Sequence, residues 1–189
     1  TGQSGAPPPL DESERAKCPG IVRTSLGEIG YARQGTRLDA AQGCSRLARY
    51  VDRWSDPWCD KEIRWLLGHL EHTAEYALRL ISRGDLWEDM QGTAKSDANF
   101  ALPRSCTGGI TTSEGDLGSH MPTWWASRTQ TSPATCSGDS ETIAWGVNVK
   151  QGVKLASMMS YTQKRGRTPL IGYVDNESLR IGIQYGYSK

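Results

Sequence analysis

The sequence predicts an α+β protein, in which an antiparallel helical hairpin packs with a C-terminal four-stranded antiparallel β-meander. Apolar residues recur every three or four positions through residues 36–82, which indicates amphipathic helices. They alternate with polar residues through most of residues 141–188, which indicates strands with one buried face. Between these parts, residues 105–140 are rich in Ser, Thr and Gly and have no helical period, so they predict a long loop pinned by a disulfide.

The N-terminal end is predicted to be an extended arm over residues 1–17, which contain three consecutive prolines. We expect the remainder, residues 18–189, to form a single domain whose helical part covers about 36–92. A chain of 189 residues is long enough to bury its own core. Residues 21–33 favour two short strands, IVRTS and EIGYAR.

The helical hairpin is predicted from two apolar stripes. The first helix covers residues 36–54, with its stripe at Leu38, Ala41, Cys44, Ala48, Val51 and Trp54. Asp56 and Pro57 are typical of a helix start, with Asp56 as the N-cap, and the second helix then runs to about Ser82 before Gly84. The turn between these helices makes them antiparallel.

The predicted loop contains Trp124 and Trp125, two large aromatic residues in a polar segment. They either fill the core beneath the loop or form an exposed recognition surface. The same segment contains Gly118–Met121, whose letters GSHM match the remnant of a cleaved tag, so His120 is given little weight as a ligand.

The β-meander is predicted from four alternating stretches, ETIAWGVNV, VKLASMMSY, TPLIGYV and LRIGIQYGY. The turn between the second and third carries three cations, Lys164, Arg165 and Arg167. This basic turn is either a solvated loop or a contact for phosphate, sulfate or an acidic partner.

Five widely spaced cysteines without a C-x-x-C pair argue against a zinc cluster, and we expect no metal site. The pattern favours disulfides in a secreted protein. Helix geometry places Cys44 far from Cys59, so we predict the pairs Cys18–Cys44 and Cys106–Cys136, with Cys59 left over.

The overall charge is balanced, with 22 basic and 21 acidic side chains, so we expect no nucleic-acid partner. No apolar run is long enough to cross a bilayer. P-loop and dinucleotide fingerprints are absent from the sequence, and we expect no cofactor.

His69, His72 and Glu75 form the one cluster of catalytic residue types on a predicted helix. The order H-L-E-H does not match the zinc-protease pattern H-E-x-x-H, in which the histidines are four positions apart. A solvated helix face explains the cluster, and the alternative is an acid–base pair of a secreted hydrolase, of the nuclease type.

We therefore predict a secreted, disulfide-containing interaction protein, similar in role to an effector, toxin or other virulence factor. Trp124, Trp125 and the basic turn are its predicted binding residues, and a protein or glycan is its predicted partner. The secreted hydrolase with His69, His72 and Glu75 is the alternative, so the sequence leaves open whether the protein is an enzyme.

Overall fold

The computed structural model describes residues 18–52, 54, 57–102 and 104–185. The chain divides into two compact units, Thr1–Ala77 and Leu78–Lys189. None of the described helices combines the length and the apolar character needed to cross a membrane. The predicted arm at residues 1–17 and the predicted N-cap Asp56 lie outside the described residues.

The first unit is helical. Its three α-helices are α1 (Gly20–Gly35), α2 (Ala41–Ala48) and α3 (Trp58–His72), and a short 3-10 turn at Leu38–Ala40 precedes α2. Burial of apolar side chains from all three helices provides the stabilising free energy. The core consists of Cys18, Leu26, Ile29, Ala40, Cys44, Leu47, Trp54, Cys59, Ile63 and Leu66.

The two strands predicted within residues 21–33 are wrong, because this segment is helix α1. Its buried residues, Leu26 and Ile29, lie three positions apart, which is a helical spacing. The exposed apolar side chains of Ile21 and Tyr31 disguise that period. The predicted second helix is also too long, because α3 ends at His72 rather than near Ser82.

The second unit is a mixed four-stranded sheet with helices. The strands are β1 (Gln91–Asn99), β2 (Cys106–Glu114), β3 (His120–Thr129) and β4 (Leu170–Tyr173), in the spatial order β3-β2-β1-β4. Strands β1, β2 and β3 pair antiparallel, and β4 pairs parallel to β1. Helix α4 (Ser137–Thr162) connects β3 to β4, and α5 (Glu177–Tyr185) follows β4.

The antiparallel meander predicted over residues 141–188 is therefore wrong. Its residues 141–162 lie in helix α4, whose buried residues are spaced as a helix requires: Ser140, Glu141, Ala144, Asn148, Gly152, Leu155 and Met159. The apparent alternation arises from exposed side chains such as Val153 and Tyr161. Among the residues that the structure describes, only the segment around β4 is a strand as predicted, and it is parallel to its neighbour.

The long loop predicted at residues 105–140 is also wrong, because it contains the β2–β3 hairpin. Three threonines of β2, Thr107, Thr111 and Thr112, are buried instead of being solvated. Thr112 on β2 forms a short hydrogen bond with Thr93 on β1, and Thr111 lies 3.1 Å from the Thr123 hydroxyl. Gly118–Met121 belongs to this hairpin, and His120 pairs with Ile81 through the backbone.

No disulfide is present among the five cysteines, all of which are described, so the predicted pairs Cys18–Cys44 and Cys106–Cys136 are wrong. Cys18 and Cys44 are buried, and the Cys44 thiol lies 3.6 Å from the Leu26 carbonyl oxygen. Burial raises the pKa of both thiols, which keeps them protonated. Cys106 begins β2, and Cys136 is exposed before α4.

Close packing of α4 on the sheet requires glycine at two strand positions. A Cβ atom at Gly109 of β2 would lie 2.0 Å from the buried Asn148 side chain of α4. A Cβ atom at Gly172 of β4 would lie 2.0 Å from the Trp145 ring. These contacts fix the position of α4 relative to β2 and β4, which matters for the site described next.

Candidate functional site

Three carboxylates from distant parts of the sequence meet at one edge of the sheet. Asp97, Glu141 and Asp175 each provide a carboxylate oxygen, and the three atoms lie within 4.8 Å of one another. Asp97 and Asp175 are exposed, whereas Glu141 is buried. We call these residues the carboxylate cluster.

The parallel pairing of β1 and β4 brings the two aspartates together. Lys95 of β1 is paired with Tyr173 of β4. Asp97 follows Lys95 by two positions, and Asp175 follows Tyr173 by two positions. Both aspartates therefore lie toward the carboxyl ends of adjacent parallel strands. In sheets with helical crossovers, ligands bind outside these strand ends.

Helix α4 supplies the third carboxylate. The helix begins at Ser137, so Glu141 lies in its second turn, on the face that packs against the sheet. The Ala98 backbone NH of β1 donates a hydrogen bond to Glu141 Oε1 at 3.3 Å. This bond fixes the carboxylate beside Asp97, the residue that precedes Ala98.

The second oxygen of Glu141 is unsatisfied. Only 6% of Glu141 is exposed, and its Oε2 atom is buried without a hydrogen-bond partner among the described residues. A buried, unpaired carboxylate oxygen is costly, and native proteins rarely leave one without a partner. A bound cation would supply the missing partner.

The electrostatics of the cluster also favour a bound cation. Burial raises the pKa of the Glu141 carboxyl, the hydrogen bond from Ala98 lowers it, and the negative charges of Asp175 and Asp97 raise it again. Three carboxylates at this separation repel one another unless a positive charge lies between them. The arrangement is unfavourable without a ligand and favourable with a cation.

An open groove of about 490 Å³ lies over the exposed part of the cluster. It is lined by Lys95, Ser96, Asp97, Tyr173, Val174 and Asp175. Two of the three carboxylates therefore face a space that a ligand can enter. A bound cation at the cluster would be accessible from solvent.

The groove also has one positioned cation. The Lys95 Nζ atom donates a hydrogen bond to Glu114 Oε1 at 3.0 Å and lies 5.2 Å from the centroid of the Tyr173 ring. Glu114 Oε1 in turn accepts a hydrogen bond from the Thr112 hydroxyl at 2.8 Å, and the Thr93 hydroxyl donates to either Thr112 Oγ1 or Glu114 Oε1. Lys95 thus lines the groove and is held there by a network on β1 and β2.

The donor set of the cluster suits a hard divalent cation. Carboxylate oxygens are the ligands preferred by Mg²⁺, Mn²⁺ and Ca²⁺, whereas zinc and copper sites use His or Cys. Mg²⁺ is commonly held by one or two carboxylates and completes its shell with water and substrate phosphate oxygens. The groove leaves room for such additional ligands beside Asp97 and Asp175.

The histidines predicted from the sequence lie in the first unit and have separate partners. His69 Nε2 lies 2.9 Å from Asp39 Oδ2, and its ring stacks on Trp65 with centroids 5.7 Å apart. His72 Nδ1 lies 2.8 Å from the carbonyl oxygen of Gly68, in its own helix. Glu75 is exposed in the turn after α3.

Asp39 is the centre of the polar network around His69. The Arg37 guanidinium donates two hydrogen bonds to its carboxylate, at 3.0 and 2.8 Å. The hydrogen bond from Arg37, opposed by partial burial and aided by the hydrogen bond from His69, lowers the pKa of Asp39 to about 2. Arg37 also donates to the Thr73 hydroxyl at 2.6 Å, so this network ties the 3-10 turn to the end of α3.

The predicted binding residues lie apart along the second unit. Trp124 and Trp125 are half-buried on β3, where they pair with Thr111 and Ile110. The basic turn of Lys164, Arg165 and Arg167 is exposed and follows α4. One of its cations, Arg165, lies 3.1 Å from Asp89.

The carboxylate cluster is missed by sequence reasoning because its residues are 44 and 34 positions apart in sequence. Each one alone resembles an ordinary surface acid in the printed sequence. The available signal is Glu141 itself, once residues 137–162 are recognised as a helix. A charged residue on the buried face of a helix requires a partner.

Comparison of the chain with models of known protein families and with curated protein sequences gives no match.

Proposed function

We propose that the protein is a divalent-cation-dependent nuclease that hydrolyses phosphodiester bonds at the carboxylate cluster. The observation that carries the proposal is the meeting of Asp97, Glu141 and Asp175, with a buried and unsatisfied Glu141 oxygen, beside an open groove. Cations held by carboxylates are a general means of stabilising both the attacking and the leaving oxygen in phosphoryl transfer. The sequence suggested a nuclease only as an alternative, on other residues.

In the proposed reaction, a water oxygen forms a bond to phosphorus and the bond from phosphorus to the leaving oxygen breaks. The attacking water loses one proton to solvent, and the leaving oxygen takes up a proton to become a hydroxyl. The products are a phosphomonoester and an alcohol. Asp97 and Asp175 would hold a divalent cation at the groove and Glu141 would bind it from the buried side, and the cation would stabilise the charge on the phosphate oxygens.

The test is cleavage of end-labelled RNA, DNA and RNA–DNA hybrid with Mg²⁺, with Mn²⁺ or with EDTA. We expect metal-dependent cleavage by the wild-type chain and a loss of at least 100-fold in Asp97→Asn and Glu141→Gln, because each removes a charge that binds the cation. Asp116→Asn is the matched control, since Asp116 is an exposed aspartate of the same unit, in the β2–β3 turn. The proposal fails if Asp97→Asn and Asp116→Asn behave alike.

A second control separates this site from the histidine cluster. We expect the double variant His69→Ala, His72→Ala to keep its metal-dependent cleavage, because neither residue belongs to the unit that holds the carboxylates. Loss of cleavage in a folded double variant would favour the histidine site instead.

The secreted interaction protein, with a protein or glycan partner bound through Trp124, Trp125 and the basic turn, stays a prediction. Its secretion was inferred from disulfides that are absent from the structure. No contact among the described residues favours one such partner over another.

A further inference from the structure

Lys95 and Tyr173 form a second feature of the groove beside the carboxylate cluster. They are direct partners in the parallel β1–β4 pair, and each lies two positions before an aspartate of the cluster. Lys95 and Asp97, two apart on β1, point to the same face with Cα atoms roughly 6.6 Å apart, and Asp175 lies two residues beyond the end of β4. A cation and an aromatic ring therefore lie side by side, one short step from the carboxylates.

Lys95 has capacity to bind a further acceptor. Its side chain is 46% exposed, and an ammonium group has three donors, of which the Glu114 carboxylate accepts one. The ion pair with Glu114 and the contact with the Tyr173 ring restrict the position of Nζ. A phosphate that enters the groove would therefore contact a Lys95 ammonium group whose position is already restricted.

Tyr173 provides an aromatic surface at the same place. Its residue is 48% exposed although it belongs to a sheet strand, so part of the ring is open to the groove. The backbone just before it is fixed, because Gly172 packs directly against the Trp145 ring. Exposed aromatic rings on a rigid strand are the surfaces on which proteins stack nucleic-acid bases.

We infer that Lys95 and Tyr173 bind the nucleotide next to the scissile phosphate, so that the substrate is a polynucleotide strand rather than an isolated phosphodiester. Lys95 binds the neighbouring phosphate, and Tyr173 stacks on the neighbouring base. The Cα atoms of Lys95 and Asp97 are separated by roughly 6.6 Å, so the subsite adjoins the carboxylate cluster along β1. This inference rests on the proposed function and names the residues that select its substrate.

The balanced charge of the whole chain is consistent with this mode of binding. A single lysine–phosphate contact contributes about one unit to the slope of log affinity against log salt concentration. Stacking of a base on an aromatic ring adds affinity that does not depend on charge. The subsite therefore does not require a large basic patch. It predicts modest affinity with weak salt dependence.

The test compares two substrates, an oligonucleotide and bis(p-nitrophenyl) phosphate, which has one phosphodiester and no neighbouring nucleotide. We expect Lys95→Gln to raise KM for the oligonucleotide about tenfold and to reduce the slope of log KM against log salt by about one. We expect Tyr173→Leu to raise the same KM about tenfold with little change in salt dependence. Hydrolysis of the small diester should fall much less than cleavage of the oligonucleotide in both variants, because the small diester has no neighbouring nucleotide.

Matched controls are Lys154→Gln and Tyr161→Leu, because both residues are exposed on α4. Single-stranded RNA, single-stranded DNA and an RNA–DNA hybrid serve as separate arms and identify the strand that is bound. If Lys95→Gln and Tyr173→Leu match their controls, or if they lower hydrolysis of both substrates equally, the subsite is refuted while the nuclease proposal stands. If the wild-type chain cleaves neither substrate with Mg²⁺ or Mn²⁺, both proposals fail.

Discussion

Replacing Glu141 by Gln should make the metal-free protein more stable while abolishing the proposed phosphodiester cleavage. The substitution keeps the size of the side chain, and the amide oxygen can still accept the hydrogen bond from the Ala98 NH. It removes one of three negative charges whose oxygens lie within 4.8 Å of one another. The new NH₂ group can also donate to the neighbouring carboxylates, which Glu141 cannot do when ionised.

The size of the effect follows from the separation of the charges. Two unit charges about 4.8 Å apart repel by roughly 1 kcal/mol in water and by about 3.5 kcal/mol at an effective dielectric constant of 20. Glu141 faces two such charges, which gives about 2–7 kcal/mol for the fully ionised cluster. Proton uptake by Glu141 relieves part of this repulsion, so we expect a gain of about 1–3 kcal/mol in the free energy of unfolding.

The assay is urea denaturation in EDTA, with hydrogen exchange of β1 and β4 amides to locate the change in the second unit. In the presence of Mg²⁺ or Mn²⁺ the wild type should become more stable than Glu141→Gln, because a cation at 100 times its Kd stabilises the wild-type chain by about 2.7 kcal/mol.

Glu114→Gln is the control, and we expect it to lower stability instead of raising it. Its carboxylate accepts hydrogen bonds from Lys95 and Thr112, so its loss should destabilise the protein. Equal or lower stability of Glu141→Gln in EDTA would refute the reasoning.

Two further predictions concern packing and acid stability. Gly109→Ala should lower the free energy of unfolding by about 2–4 kcal/mol in urea titrations, because the new methyl group displaces the buried Asn148 side chain; Gly108→Ala, whose nearest neighbour would lie 3.7 Å away, should cost less. Asp39, with its pKa lowered to about 2, stabilises the fold above its ordinary pKa of 3.8 and loses this effect as pH falls through 2. Thermal unfolding should therefore show a stability difference between the wild type and Asp39→Asn of about 1 kcal/mol at pH 5, after allowance for solvent screening. The difference should vanish as the pH falls through 2. A constant difference over this range would exclude the ion pair with Arg37 as its cause.

The sequence predicted the α+β class and the strand that contains β4, because the apolar pattern of that strand is clear. It did not predict α4 or the β2–β3 hairpin, whose buried faces include polar residues. Asn148 of α4 donates hydrogen bonds to the carbonyls of Gly108 and Ala144, and Thr93 and Thr112 bond to each other across two strands. Such pairs satisfy buried polar groups through partners that lie far away in sequence. Hydrophobic periodicity cannot detect a core of this kind.

The same reason explains why the candidate site was missed. Asp97, Glu141 and Asp175 are brought together by a parallel strand pair and by the packing of α4, and both features depend on the topology of the sheet. The histidine cluster was visible because its members are neighbours in sequence. The structure instead gives His69 and His72 separate partners.

Glu141 connects the stability of the fold to its proposed function. A glutamine at position 141 could also accept the hydrogen bond from the Ala98 NH, and it would remove two repulsive contacts. Folding alone therefore gives no reason for a charged carboxylate at this position. A cation bound between Glu141 and the two aspartates does give one, because it converts the repulsion into attraction and supplies the partner that Oε2 lacks. Glu141 is unfavourable for the metal-free fold, and for this reason its substitution is a direct test of the site.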